Sequence, residues 1–220
     1  VLKEFIKILP NEDVIYYGDC GNAPYGDRTK EDIQRLCLKI TDFLLEKKCK
    51  AIIIACNTAT VAALDIIREN VSIPVFGVIN PGAKTAVDVS KNKEIGVIST
   101  VFTANSKAYA VEINNIDNNA KVYLEGCQEF CPMIEAGWNN TYSAEEVEKV
   151  ILRHLNNLPN SIDTLVLGCT HYPIIINDIK KYFKGTIVDP AVETVLKLKE
   201  NLEEKGIINK TNYIQTKDDI

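Results

Sequence analysis

Two cysteines stand apart because each closes an apolar run and is followed by small polar side chains. Residues 51–60 read AIIIACNTAT and residues 163–171 read DTLVLGCTH, so Cys56 precedes Asn57 and Thr58, and Cys169 precedes Thr170 and His171. A lone cysteine at a strand end is ordinarily a small buried hydrophobe. Two in matching settings ask for more. Each thiol lies just before a predicted helix, where unpaired backbone donors and the helix dipole favour a thiolate. Asn57, Thr58 and Thr170 add hydrogen-bonding groups that suit a carboxylate or amino-acid ligand, beyond the helix capping such residues commonly perform. His171, two residues after Cys169, suits a proton partner near neutral pH. Cys37, Cys49 and Cys131 have no such setting and read as structural thiols.

The elements that must position these groups alternate short apolar runs with segments of helical period, the pattern of α/β architecture with a mainly parallel sheet. Strands are expected at Val14–Tyr17, Ala51–Ala55, Val75–Val78, Ile95–Ile98, Lys121–Leu124, Thr164–Leu167 and Thr186–Val188. Helices are expected at Val1–Leu9, Lys30–Lys47, Thr58–Glu69, Gly82–Val89, Asn105–Val111, Ala144–Leu155, Ile174–Phe183 and Val192–Lys205. The run SAEE at Ser143–Glu146 has the form of a capping box. GNAPYGDR, INPGA and VDPA read as loops. Both thiols then sit at the C-terminal ends of parallel strands, where open α/β sheets bind ligands. Two similar halves facing each other would suit a cleft between them.

Composition narrows the partners. A formal net charge of -5 over 220 residues, with no basic cluster, argues against nucleic acid or an anionic membrane surface. The apolar runs are far shorter than a bilayer span, and the first residues lack a signal-peptide pattern, so a cytoplasmic location is expected. Seven cysteines fit a reducing compartment better than a disulfide framework. With two histidines, His154 and His171, and no CxxC pair, the usual spacings of a metal site are absent, and none is expected.

Taken together, YYGDCGNAPYGDRT (Tyr16–Thr29), IACNTAT (Ile54–Thr60), GVINPGA (Gly77–Ala83) and LGCTHYP (Leu167–Pro173) resemble the aspartate/glutamate racemase family, on its glutamate-acting side. GVISTVFTANSKAY (Gly96–Tyr109) and CPMIEAG (Cys131–Gly137) are weaker matches. The resemblance covers nearly the whole chain. It implies Cys56 and Cys169 as catalytic thiols, the first acting on the D-enantiomer and the second on L. It assigns Glu135 and His171 to assist at the second thiol. Tyr25, Gly26, Asn57, Thr58, Thr100, Thr103, Thr170 and His171 correspond to substrate-binding positions. Histidine after the GCT triplet favours glutamate, because aspartate-preferring relatives tend to carry glutamate there.

The fold so implied is two Rossmann-like α/β domains facing each other across a central cleft. The first would comprise 1–79 with 190–220 and the second 80–189, with crossings near Ile79–Pro81 and Asp189–Ala191. The family opens with a strand and a DSGxGG loop, and this chain begins inside the helix expected to follow them. A slot flanked by Val14–Tyr17 and Ala51–Ala55 is therefore expected. Racemisation needs a proton removed from one face and returned to the other, which two opposed thiols can do without a cofactor. The implied role is supply of D-glutamate for bacterial peptidoglycan, with glutamate the small-molecule partner and a homodimer left open. Aspartate or hydantoin racemisation, a non-catalytic ligand-binding module and a thiol redox protein are the alternatives.

Overall fold

A computed structural model describes residues 1–210. Two parallel sheets organise it. The first pairs β1 (Ile52–Ile54) with β2 (Val75–Gly77). The second runs in the order β4 (Lys121–Gly126), β3 (Glu94–Ser99), β5 (Thr164–Gly168), β6 (Thr186–Val188), all parallel. Around them lie α1 (Leu2–Ile8), α2 (Lys30–Glu46), α3 (Asn57–Asn70), α4 (Ile79–Val89), α5 (Val101–Ser106) and α6 (Ala108–Ile116). The remaining helices are α7 (Phe130–Glu135), α8 (Ala144–Leu155), α9 (Ile176–Tyr182) and α10 (Ala191–Glu204).

Strand alternation explains why both sheets are covered on both faces. In β5, Leu165 and Leu167 enter a core with Phe130, Trp138, Ile151 and Ile179, whereas Val166 enters another with Ala83, Ala86, Tyr109 and Ile113. β1 behaves alike: Ile52 packs with α2 and α3 through Ile33, Ala63 and Ile67, and Ile53 turns toward Phe5, Val195 and Leu198. The last helix thus closes a core with the first one. The capping box forms as expected, with Ser143 and Glu146 bonded reciprocally at the start of α8.

Several expectations need correction. Val14–Tyr17 is not a strand. Its side chains are exposed, Tyr16 by 70%, and it has no ladder partner among the described residues, which an extended segment needs to count as a strand. Tyr17 instead packs its ring edge-on against Phe43. Val14–Tyr16 and Ala51–Ile53 line one groove of about 420 Å³ together with residues of α1, α2 and α10. INPGA is the first turn of α4 rather than a loop, because a proline within the first turn gives up no helical hydrogen bond. The expected helix at Asn105–Val111 is two helices, broken where Lys107 takes a left-handed φ of 58°. A four-residue 3-10 turn, Tyr172–Ile175, separates Cys169 from α9, so this thiol does not cap an α-helix. The short α7 was not anticipated. Residues 211–220 of the expected first domain lie outside the described residues.

Candidate active site

Cys56 follows β1 and is the N-cap of α3, its Sγ accepting the Ala59 N–H at 3.5 Å. Burial pushes this thiol up from its ordinary pKa, while the Ala59 and Thr58 amides pull against that. Asn57 and Thr58 occupy the first turn of α3 and are buried. Asn57 Oδ1 accepts a hydrogen bond from the Tyr109 hydroxyl at 2.8 Å, a tie from α3 to α6. Thr58 Oγ1 lies 2.9 Å from Thr100 Oγ1 and 3.4 Å from Thr103 Oγ1, and Thr100 donates to Thr103 at 3.1 Å. These three hydroxyls join the end of β1 to the end of β3. Gly26 presses on the same group, since a Cβ there would meet Thr100 Cβ at 3.3 Å. Tyr25 packs in the core that includes Cys56 and donates its hydroxyl to Asp19 at 2.7 Å.

Cys169 directly follows β5 and is buried. Its Sγ lies 3.4 Å from Cys131 Sγ and 3.6 Å from His171 Nδ1. His171 Nε2 is 2.5 Å from Glu135 Oε1. Cys131 and Glu135 are four residues apart on α7, so one helical face delivers both to His171. The hydrogen bond from Cys169 and the facing imidazole hold Cys131 far below the usual thiol range, while the Cys131 charge and burial hold Cys169 above it. The same Cys131 contact, joined by Glu135, raises His171 to about 9. Thr170 is exposed beside this group.

The two groups feel each other electrostatically: charge on Cys56 raises Cys169, and charge on Cys131 raises Cys56. One group therefore gathers Tyr25, Gly26, Cys56, Asn57, Thr58, Thr100 and Thr103, and the other Glu135, Cys169 and His171. Three residues whose side chains enter these contacts went unforeseen, Asp19 beside Tyr25 among them. Cys131 was read as structural, although its spacing from Glu135 signals a shared helical face. Tyr109, the end of a weakly matching motif, gave no sign that it would bond Asn57. A surface cavity of about 450 Å³, lined by Arg68, Asn80, Glu112 and Lys197 among others, includes neither candidate thiol.

A family model described as Asp/Glu/Hydantoin racemase matches residues 3–198. This chain belongs to that racemase family. Among relatives of this family, the glutamate racemase of Fusobacterium nucleatum is 47% identical over 210 residues, covering 95% of this chain and 78% of that protein. A crystal structure of a glutamate racemase isoform from Bacillus anthracis superposes with a TM-score of 0.91 at 38% identity, covering 96% of this chain and 80% of that one. The glutamate racemase of Francisella tularensis, solved in complex with D-glutamate, gives 0.88 at 39% identity over 96% and 79% of the two chains. These racemases share the α/β architecture described above. Among the described residues no helix is long and apolar enough to cross a membrane.

Proposed function

We propose that this chain interconverts L- and D-glutamate by a two-base reaction that uses no organic cofactor. The observation that carries the reading is the matched delivery of Cys56 and Cys169 from the C-terminal ends of two parallel strands, each beside hydrogen-bonding side chains. The α-proton of an amino acid is only weakly acidic, and inversion requires reprotonation of the carbanion from the opposite face. One thiolate removes the proton while the other thiol supplies one, and the roles exchange with the handedness of the substrate. Cys56 serves D-glutamate and Cys169 serves L-glutamate. Burial of both sulfurs suits the acid half of the cycle, because a desolvated thiol keeps its proton until a carbanion forms. Glu135 orients His171 beside Cys169, and the Thr58, Thr100 and Thr103 hydroxyls offer donors to a substrate carboxylate.

The reading includes a division into residues 1–79 with 190–210 and residues 80–189, supported by the core that α10 shares with α1 and β2. It also includes a cytoplasmic supply of D-glutamate for peptidoglycan. Histidine at 171 favours glutamate over aspartate, and parallel assays with the two amino acids test that choice.

Heavy water provides the decisive test of mechanism. The group that reprotonates differs from the group that took the proton and has exchanged with solvent, so inverted glutamate should carry solvent deuterium at its α-carbon. Inverted product retaining the substrate's own hydrogen would overturn the two-base assignment.

A further inference from the structure

The geometry points to a binding site for a thiophilic divalent cation such as Zn²⁺ on Cys131, Cys169 and His171, whose occupation takes Cys169 out of proton transfer. The site stands on coordination geometry alone; its inhibitory consequence rests on the racemase reading. The two sulfurs and a ring nitrogen lie within 4.8 Å of one another. Zinc with Zn–S of about 2.3 Å and Zn–N of about 2.0–2.1 Å in a tetrahedron holds neighbouring ligand atoms roughly 3.5–3.8 Å apart. The separations here are 3.4 Å between the sulfurs and 3.6 Å from Cys169 Sγ to His171 Nδ1. Small side-chain adjustments therefore suffice.

A second observation supports the cation independently. A metal-binding histidine almost always donates its other ring N–H to a carboxylate, a backbone carbonyl or water, which fixes the tautomer and raises the basicity of the ligating nitrogen. His171 has such a partner, with Nε2 on Glu135 Oε1 at 2.5 Å and Nδ1 turned toward the sulfurs. Ordinary zinc motifs place ligands close together in sequence, whereas here α7, the end of β5 and the residue two further on supply them. Three protein ligands leave the fourth tetrahedral position to water or a substrate carboxylate. On binding, Zn²⁺ exchanges bound waters for both sulfurs and Nδ1, and the displaced waters together with whatever protons those three atoms carry pass to solvent. No electron changes hands. The Nε2 proton stays between His171 and Glu135.

Cobalt(II) is a suitable probe because bound thiolate gives it a charge-transfer absorption that Zn²⁺ lacks. Titration of reduced protein should give that absorption, saturating at one equivalent and abolished by competing Zn²⁺. Cys131→Ala should at least halve the absorption and weaken binding tenfold or more, and His171→Asn should weaken binding while keeping both sulfurs. Cys20→Ser, at an exposed thiol elsewhere, should change neither. Circular dichroism identifies any variant that fails to fold, and Cys131→Ser then replaces Cys131→Ala. No thiolate absorption, or absorption unchanged in the folded Cys131 variant, would overturn the site. Inhibition is read separately, as each protein's rate with zinc relative to its own metal-free rate. The wild type should lose at least nine-tenths of its rate at a zinc level that spares the Cys131 variant, and equal sensitivity of the two would overturn the inhibitory consequence. Failure of metal-free protein to racemise glutamate would count against the racemase reading and the inhibition built on it, while the cobalt spectrum alone still decides the site.

Discussion

At the residue scale, identical chemistry at positions 56 and 169 meets different surroundings. Cys56 takes its hydrogen bond from a helix N-terminus, and Cys169 lies within hydrogen-bond distance of a neighbouring thiol. Cys56→Ala and Cys169→Ala should each reduce racemisation by at least a thousandfold while leaving folded protein, since truncating a small side chain costs at most a few kcal/mol. Each variant should still eliminate from an activated analogue of one enantiomer, D for Cys169→Ala and L for Cys56→Ala, as followed by release of the leaving group. A variant that racemises at the wild-type rate would sink the assignment of its thiol. The ring of His171 should titrate near about 9 by NMR, and Cys131→Ala should move that midpoint down, because the Cys131 contact is the main cause of the rise. A pKa raised on folding means that protonated His171 stabilises the folded state. That contribution is complete below the unfolded value near about 6.5 and is lost as the pH climbs through about 9. The thiols and their polar neighbours were legible in the sequence because they sit beside strand ends. Cys131 was not, since only the fold brings α7 against the end of β5.

Among the elements, β3 and β5 were legible because central parallel strands, buried on both faces, read as unbroken apolar runs. Val14–Tyr17 has an equally apolar composition and fails as a strand, because composition does not supply a hydrogen-bonding neighbour. The start of α4 was hidden by Asn80, Pro81 and Gly82, which ordinarily mark a turn. Gly82 is there for space. A Cβ on it would meet Pro190 Cγ at 2.9 Å and the Tyr109 hydroxyl at 3.1 Å, so helix α4 approaches both the start of α10 and the tyrosine that holds Asn57. Gly82→Ala should therefore destabilise the protein by about 1–3 kcal/mol despite the better helix propensity of alanine, measured as a lower urea midpoint with an unchanged slope. At the start of α8, Ser143→Ala removes the hydroxyl half of the capping box, leaving the backbone N–H of residue 143 on Glu146, and should cost about 1 kcal/mol with racemisation unaltered.

For the whole molecule, the two sheets are joined by the Tyr109–Asn57 bond and the threonine group, and the core below β1 and β2 is completed by α1 and α10 from opposite ends of the described chain. Leu198→Ala in that core should cost about 2–5 kcal/mol. Its hydrogen-exchange signature should be lost protection in α1 and β2 before any change in β3 and β5. That core also sets an order of events during synthesis. The four-stranded sheet is finished once Val188 has emerged, whereas Phe5 and Leu9, made well before it, must wait for Val195, Leu198 and Leu202. Since a chain leaves the ribosome amino end first, Phe5 and Leu9 remain an apolar segment without its mate while the residues between them and α10 are made. Stalled nascent chains long enough for residues up to Val188 to have left the ribosome should already protect β3 and β5 from protease while α1 is still cut, and chains long enough for α10 to have left as well should protect α1 in a single step.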